Sequence, residues 1–174
     1  LSGINSELDD NLVFKGGTCL SKMYFDYFRL SEDLDFIMLL PEGKPSRAMR
    51  SKRMEKVKSK IQKYASGFGL RFDEGFKNGG RNESKQYNYR FIYDSVINPE
   101  PGSVKLEISL RFNPVMPVKK EIIGHKFVDP FNRQPVFEAG AIKCIRLEEA
   151  AAEKLRAAVS RKAAAPRDFF DLAH

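Results

Sequence analysis

The sequence predicts an α+β protein in which a mixed, mostly antiparallel sheet is flanked by helices and completed by helices at its C-terminal end. Three observations carry this. Apolar residues recur at helical spacing over 20–28 and 46–64. The segments 86–93 and 103–112 alternate at the strand period between glycine- and proline-bearing turns. The segment 147–164 is rich in Ala, Glu, Leu and Lys, which are strong helix formers. With 174 residues and 42% hydrophobic content the chain is long enough to bury a core of its own. The expected organisation is a core over 1–140, with a basic helix at 46–64, followed by a helical part over 141–174. That last part is expected to be cut short, because the chain opens on Leu1 and stops inside an apparent helix at His174.

In order, Leu1 to Asn11 reads as the end of a helix, and Leu12-Val13-Phe14 as a short buried strand leading into Gly16-Gly17. Thr18 is placed to cap a helix whose stripe is Leu20, Met23, Tyr24, Tyr27 and Phe28, and Arg29 to Ser31 turns the chain back. Asp33 to Leu40 is the central strand, stopped by Pro41 and the loop that follows. From Ser46 to Tyr64 a second helix buries Met54, Val57, Ile61 and Tyr64. A β meander follows: Leu70 to Glu74, a turn at Lys77 to Gly80, Gln86 to Tyr93, a turn at Pro99 to Gly102, and Ser103 to Phe112. Tyr87, Tyr89, Phe91 and Tyr93 share one strand face, a spacing that suits packing better than base stacking. Val104, Leu106, Ile108 and Leu110 face the core, which leaves Lys105, Glu107, Ser109 and Arg111 on the other face. Four prolines keep 114–140 loop-rich around an extended piece from Val118 to Phe127. Ala141 to Arg146 reads as a short strand, Leu147 to Ala164 as a helix, and Pro166 as the first turn of another.

Charge and cysteine content exclude several functions. The 30 Lys and Arg against 23 Asp and Glu leave a net charge of +7, which favours polyanionic partners. No apolar run approaches the ~20 residues of a membrane helix, so no membrane partner is expected. Cys19 and Cys144 are far apart in sequence, and with His125 and His174 they offer no zinc-ligand spacing. Both thiols read as reduced and structural, in a cytoplasmic protein. Lys15 precedes the glycines instead of following them, which excludes a P-loop.

The chemistry concentrates in Phe14-Lys15-Gly16-Gly17-Thr18 and Ser31-Glu32-Asp33-Leu34-Asp35-Phe36. On a strand, residues i and i+2 share a face roughly 6 to 7 Å apart, so Asp33 and Asp35 point the same way. Two carboxylates near a helix N-terminus suit a divalent cation, and the free backbone N–H groups and helix dipole suit the phosphates it bridges. Glu107 is either a third carboxylate or a solvent-facing partner of a neighbouring cation. Lys154 and Arg161 lie two turns apart on one helix face, with small residues beside them. Lys52, Arg53, Lys56 and Lys60 of the basic helix form either a solvated face or a surface tracking a nucleic-acid backbone.

Together, Lys15-Gly16-Gly17-Thr18, Arg29, Ser31 to Phe36, Glu153-Lys154-Leu155 with Arg161, and Arg167-Asp168-Phe169-Phe170-Asp171-Leu172 resemble the AbiEii/AbiGii toxin family of nucleotidyltransferases, in order and over nearly the whole chain. The resemblance implies a DNA polymerase β-like nucleotidyltransferase fold. It further implies transfer of a nucleotide from a nucleoside triphosphate, with Mg²⁺, to an acceptor such as the acceptor end of tRNA. A toxin role in a bicistronic toxin–antitoxin or abortive-infection system, with a cognate antitoxin, is part of the same expectation. Carried onto this chain, Asp33 and Asp35 would hold the metal, and Lys154 the triphosphate, with Asp168 completing the site. Lys15, Gly16, Gly17, Thr18, Ser31 and Arg161 would bind the nucleotide. Either Glu107 or Asp168 would supply the third carboxylate. Two readings compete: a small-molecule nucleotidyltransferase, and a catalytically idle RNA-binding module.

Overall fold

The computed structural model describes residues 1, 3–161 and 165–173. Its strands are β1 (Leu12–Lys15), β2 (Leu34–Met38), β3 (Arg71–Phe72), β4 (Gly79–Arg81), β5 (Gln86–Tyr93), β6 (Gly102–Ser109), β7 (Lys119–Ile122) and β8 (Ala141–Cys144). They form one sheet in the order β3-β5-β6-β2-β1-β8-β7, with β4 paired to β5. The β2–β6 and β1–β8 pairs are parallel and the rest antiparallel, so the sheet is mixed and mostly antiparallel. The helices are α1 (Gly16–Met23), α2 (Arg47–Arg53), α3 (Glu55–Ser66), α4 (Leu147–Ser160) and α5 (Pro166–Ala173).

Strand alternation divides the sheet into two faces. Phe14, Phe36, Met38, Tyr87, Tyr89, Phe91, Leu106 and Ile108 point to one side, where Met54, Val57, Ile61 and Ala65 of the α2–α3 unit cover them. The Phe14 and Phe36 rings lie 5.1 Å apart, and burial of each such side chain is worth roughly 1.5–3 kcal/mol. Val13 and Ile37 point to the other side, where they meet Leu20 of α1, Ile145 and Ala150 of α4. Lys15, Asp35 and Glu107 lie opposite one another on β1, β2 and β6, in a single polar rung at the open end of this second face. Cys19 and Cys144 are buried free thiols.

Several elements are shorter than their sequence patterns suggest. Residues 1–11 contain one π-helical turn, Ile4–Leu8, in place of a helix end. The first helix stops at Met23, because the aromatic residues that would extend it anchor other segments. The Tyr24 hydroxyl donates to the Ile145 carbonyl at 2.6 Å, and Tyr27, at φ 62°, reaches the Gly124 carbonyl. The basic helix is two helices broken at Met54, whose side chain is fully buried. The preceding turn holds Arg50, whose guanidinium donates to the carbonyls of Pro45 and Glu83. Gly79 and Gly80, expected in a turn, pair with β5, and the reversal comes at Asn82, Glu83 and Ser84, all at positive φ. The strand at 70–74 contracts to Arg71–Phe72, and the extended piece at 118–127 to Lys119–Ile122. Helix α4 ends at Ser160 with Arg161 extended; the expected continuation through Ala164 falls on 162–164, outside the described residues, as does His174.

Candidate active site

The site begins where β1 runs out. Lys15 is extended and Gly16 turns at φ 78°, a left-handed conformation that favours glycine. A Cβ on Gly16 would strike the Asp35 carboxylate, and one on Gly17 would strike the Arg29 guanidinium. The glycine pair therefore lets a carboxylate and a cation approach the start of α1 closely. Thr18 does not cap this helix: it is buried inside the first turn, where its hydroxyl donates to the Asp33 carbonyl at 2.5 Å and lies 2.8 Å from the Ser31 hydroxyl. It thus fixes the 31–33 segment from behind.

Helices α4 and α5 supply the opposite wall. Lys154 Nζ lies 3.2 Å from Asp168 Oδ1 and 2.8 Å from Asp171 Oδ2. Arg161 Nη1 meets Asp168 Oδ2 at 2.6 Å as an ionic contact without hydrogen-bond alignment. Arg29 grips Asp171 with two nitrogens, at 2.5 and 2.8 Å. Burial alone would raise the Asp171 carboxyl, but hydrogen bonds from Arg29 and Lys154 bring it below the usual carboxylate range. Two buried aspartates thus hold three cations around one space.

That space is a cavity of about 200 Å³. Gly16, Gly17, Ser31, Asp33 and Asp35 line one side, and Lys154, Arg161 and Asp168 the other. Lys15 and Glu107 face an adjoining cavity of about 600 Å³, and Asp35, Glu153 and Arg156 belong to both. Lys15 is held by Glu153 at 2.8 Å, and Glu107 lies 3.5 Å from Lys105. The Asp35 carboxyl is pushed up to about 6, first by burial, then by the charges of Glu107 and Asp33. Carboxylates that repel one another at a cavity floor attract a cation. Among the described residues no group of three His, Cys, Asp or Glu is placed to hold a metal unaided. Magnesium fits nonetheless, since it uses one or two carboxylates and completes its shell with phosphate oxygens and water.

The structure does not bring the basic helix to this site. Phe36 and Met38 face α3, so Asp35 faces away from it and the sheet lies between. Lys52, Lys56 and Lys60 are exposed on that far side; Lys60 donates to the Glu7 carbonyl, and Arg53 to that of Leu39. Sequence reasoning overlooked Arg29, Glu153, Arg156 and Asp171 as site residues. Arg29 and Asp171 stand inside the motif blocks, but their pairing spans 142 residues and has no local signal.

The profile of the family described as "Nucleotidyl transferase AbiEii toxin, Type IV TA system" matches residues 1–174. No curated protein matches the chain. Among solved structures, JHP933 from Helicobacter pylori is 23% identical, covering 93% of this chain and 56% of its own, with a TM-score of 0.49. An H. pylori structure described as a candidate nucleotidyltransferase is 23% identical, covering 92% of this chain and 57% of its own, with a TM-score of 0.51. The latter shares the fold, in keeping with the polymerase β-like α+β architecture expected from the sequence. The chain spans little more than half the length of these two proteins. Among the described residues no helix is long and apolar enough to cross a membrane.

Proposed function

The chain belongs to the nucleotidyl transferase AbiEii toxin family of type IV toxin–antitoxin systems, and from that premise we propose that it moves a nucleotide from a nucleoside triphosphate onto RNA, at the acceptor end of tRNA, in a Mg²⁺-dependent reaction opposed by a cognate antitoxin. The observation that carries the reading is the shared cavity. A glycine turn and two aspartates face a cluster of cations across a space lined by Asp33, Asp35, Lys154 and Arg161.

Asp33 and Asp35 would hold the magnesium, which would supply Lewis-acid neutralisation of charge on the phosphates. The backbone at Gly16 and Gly17 opens toward the same space and offers N–H groups to a phosphate. The acceptor oxygen attacks the α-phosphorus, a new O–P bond forms, and the bond to the β-phosphate oxygen breaks, releasing pyrophosphate. Lys154 and Arg161, held by Asp168, suit the developing charge on that leaving group. Asp168 is 1% exposed and occupied by both cations, so its role is to hold them. Glu107, opposite Asp35 on the neighbouring strand, is the better candidate for the third carboxylate and for taking the acceptor proton.

Asp33→Asn and Asp35→Asn should each fold and lose Mg²⁺-dependent transfer of labelled nucleotide to total RNA, because an amide is a poor ligand for a hard cation. Full activity in both variants would sink the assignment. The basic helix lies on the far face of the sheet, which favours a small-molecule acceptor as the second reading. Label appearing only in small products would select it.

A further inference from the structure

Resting on the nucleotidyltransferase reading, we propose that the larger cavity beside Asp35 is the acceptor subsite and that Phe112 is a stacking platform for the terminal base of a single-stranded RNA acceptor. The cavity is lined by Asp35, Glu107, Ser109, Arg111, Phe112 and Val115, among others, and its volume of about 600 Å³ suits a ligand larger than a solvent molecule. It shares Asp35, Glu153 and Arg156 with the smaller cavity, so the Asp35 carboxylate borders both. The chemistry of the two lobes differs. The smaller carries the glycine turn and the cations expected of a triphosphate site. The larger brings Glu107, the Ser109 hydroxyl, the Arg111 guanidinium and the Phe112 ring to the side away from Lys15, Glu153 and Arg156, whose ion-paired end borders the first lobe.

Phe112 is 81% exposed, yet the segment that carries it is fixed. Leu110, at 1% exposure, anchors one end in the core. Asn113 exchanges two hydrogen bonds of 2.8 Å with the Leu40 backbone. Glu149, in the first turn of α4, accepts the backbone N–H groups of Val115 and Met116 at 2.7 and 3.1 Å. An exposed ring on a pinned segment presents its face at little entropic cost. A base has a π-face to match it, whatever its identity. Arg111 stands next to it, oriented by Gln86 at 3.0 Å and without a carboxylate partner among the described residues, which suits a backbone phosphate. Glu107 lines the same cavity as Phe112 and Arg111, so a nucleotide held by those two would share that space with the candidate base.

The test uses the full chain and a short RNA ending in 2-aminopurine, whose fluorescence is quenched on stacking. Wild type should quench it on binding. Phe112→Ala should abolish the quench and weaken binding on the order of tenfold, whereas Phe112→Tyr should retain both. Arg111→Gln should lower the slope of log affinity against log salt by about one. A fluorescent nucleoside triphosphate should bind Phe112→Ala as it binds wild type. An unchanged quench in Phe112→Ala would overturn the inference. So would a matching loss of triphosphate affinity, which would assign the lobe to the base of the incoming nucleotide. Thermal melting checks that all three variants fold. The quench needs no turnover, so failure of the transfer reading appears separately, as wild type that transfers no nucleotide to RNA.

Discussion

Asp35 shows how a site can cost stability at the level of one residue. Its carboxyl, ordinarily near 3.8, is raised to about 6 by burial and by Glu107 and Asp33. The folded state therefore binds its proton more tightly than the unfolded state, so stability from this group falls as pH rises from about 4 to 6 and stays low above. A difference of about two units corresponds to roughly 3 kcal/mol at neutral pH. Asp35→Asn should thus melt several degrees above wild type at pH 7.5 in magnesium-free buffer, with the gap closing near pH 4. Thermal melting across pH measures it, and equal melting temperatures at pH 7.5 would mean that the three charges do not share one field. Added magnesium and nucleotide should stabilise wild type and leave the variant unmoved.

At the scale of elements, α5 buries two aspartates, Asp168 and Asp171, in ion pairs, and stacks Phe170 on Phe28. Asp171 is depressed below the ordinary carboxylate range in the folded state, so the stability it contributes is complete above that range and is lost as pH falls through it. Hydrogen exchange at acid pH should show α5 amides losing protection before those of β2. Arg29→Gln should produce the same opening at neutral pH, at a cost of about 1.5–3 kcal/mol for the lost charged hydrogen bonds. Simultaneous exchange of α5 and the sheet would show one cooperative unit instead. Local patterns made most of these elements legible in the sequence. Gln86 to Phe91 alternates polar with aromatic residues, and the strand, Gln86–Tyr93, has the expected bounds. The glycine pair and alternate aspartates announced half of the site because they are adjacent in the chain. The other half was not legible as geometry, since Arg29 and Asp171 meet only when α5 docks. The end of α1 was hidden for a similar reason: Tyr24 and Tyr27 continue helical spacing, and only their distant carbonyl partners show that they leave it.

For the whole molecule, the sheet separates two surfaces of different chemistry. The acidic and cationic pockets lie on one side, and Lys52 and Lys56 are exposed on the other, beyond a layer of buried side chains. Reversing Lys52 and Lys56 to Glu should leave triphosphate binding unchanged, because charges beyond a Debye length of ~8 Å in solvent are largely screened. If an RNA acceptor wraps the sheet edge to reach them, the same variant should weaken RNA binding at every sequence and flatten its salt dependence. Binding titrations at two salt concentrations distinguish this from a face that only confers solubility. The polar rung of Lys15, Asp35 and Glu107 has a wider consequence. Those residues share their pairing register with Phe14, Phe36 and Ile108, which fill the opposite face of the same three strands. A slip of one residue would exchange the two sets, driving charge into the apolar layer and aromatic rings into the cavity. Misregistered chains are therefore strongly disfavoured, so the chains that fold are the ones that assemble the rung. In partly destabilised preparations, turnover per molecule should fall in proportion to the folded fraction, with each surviving molecule working at its full rate.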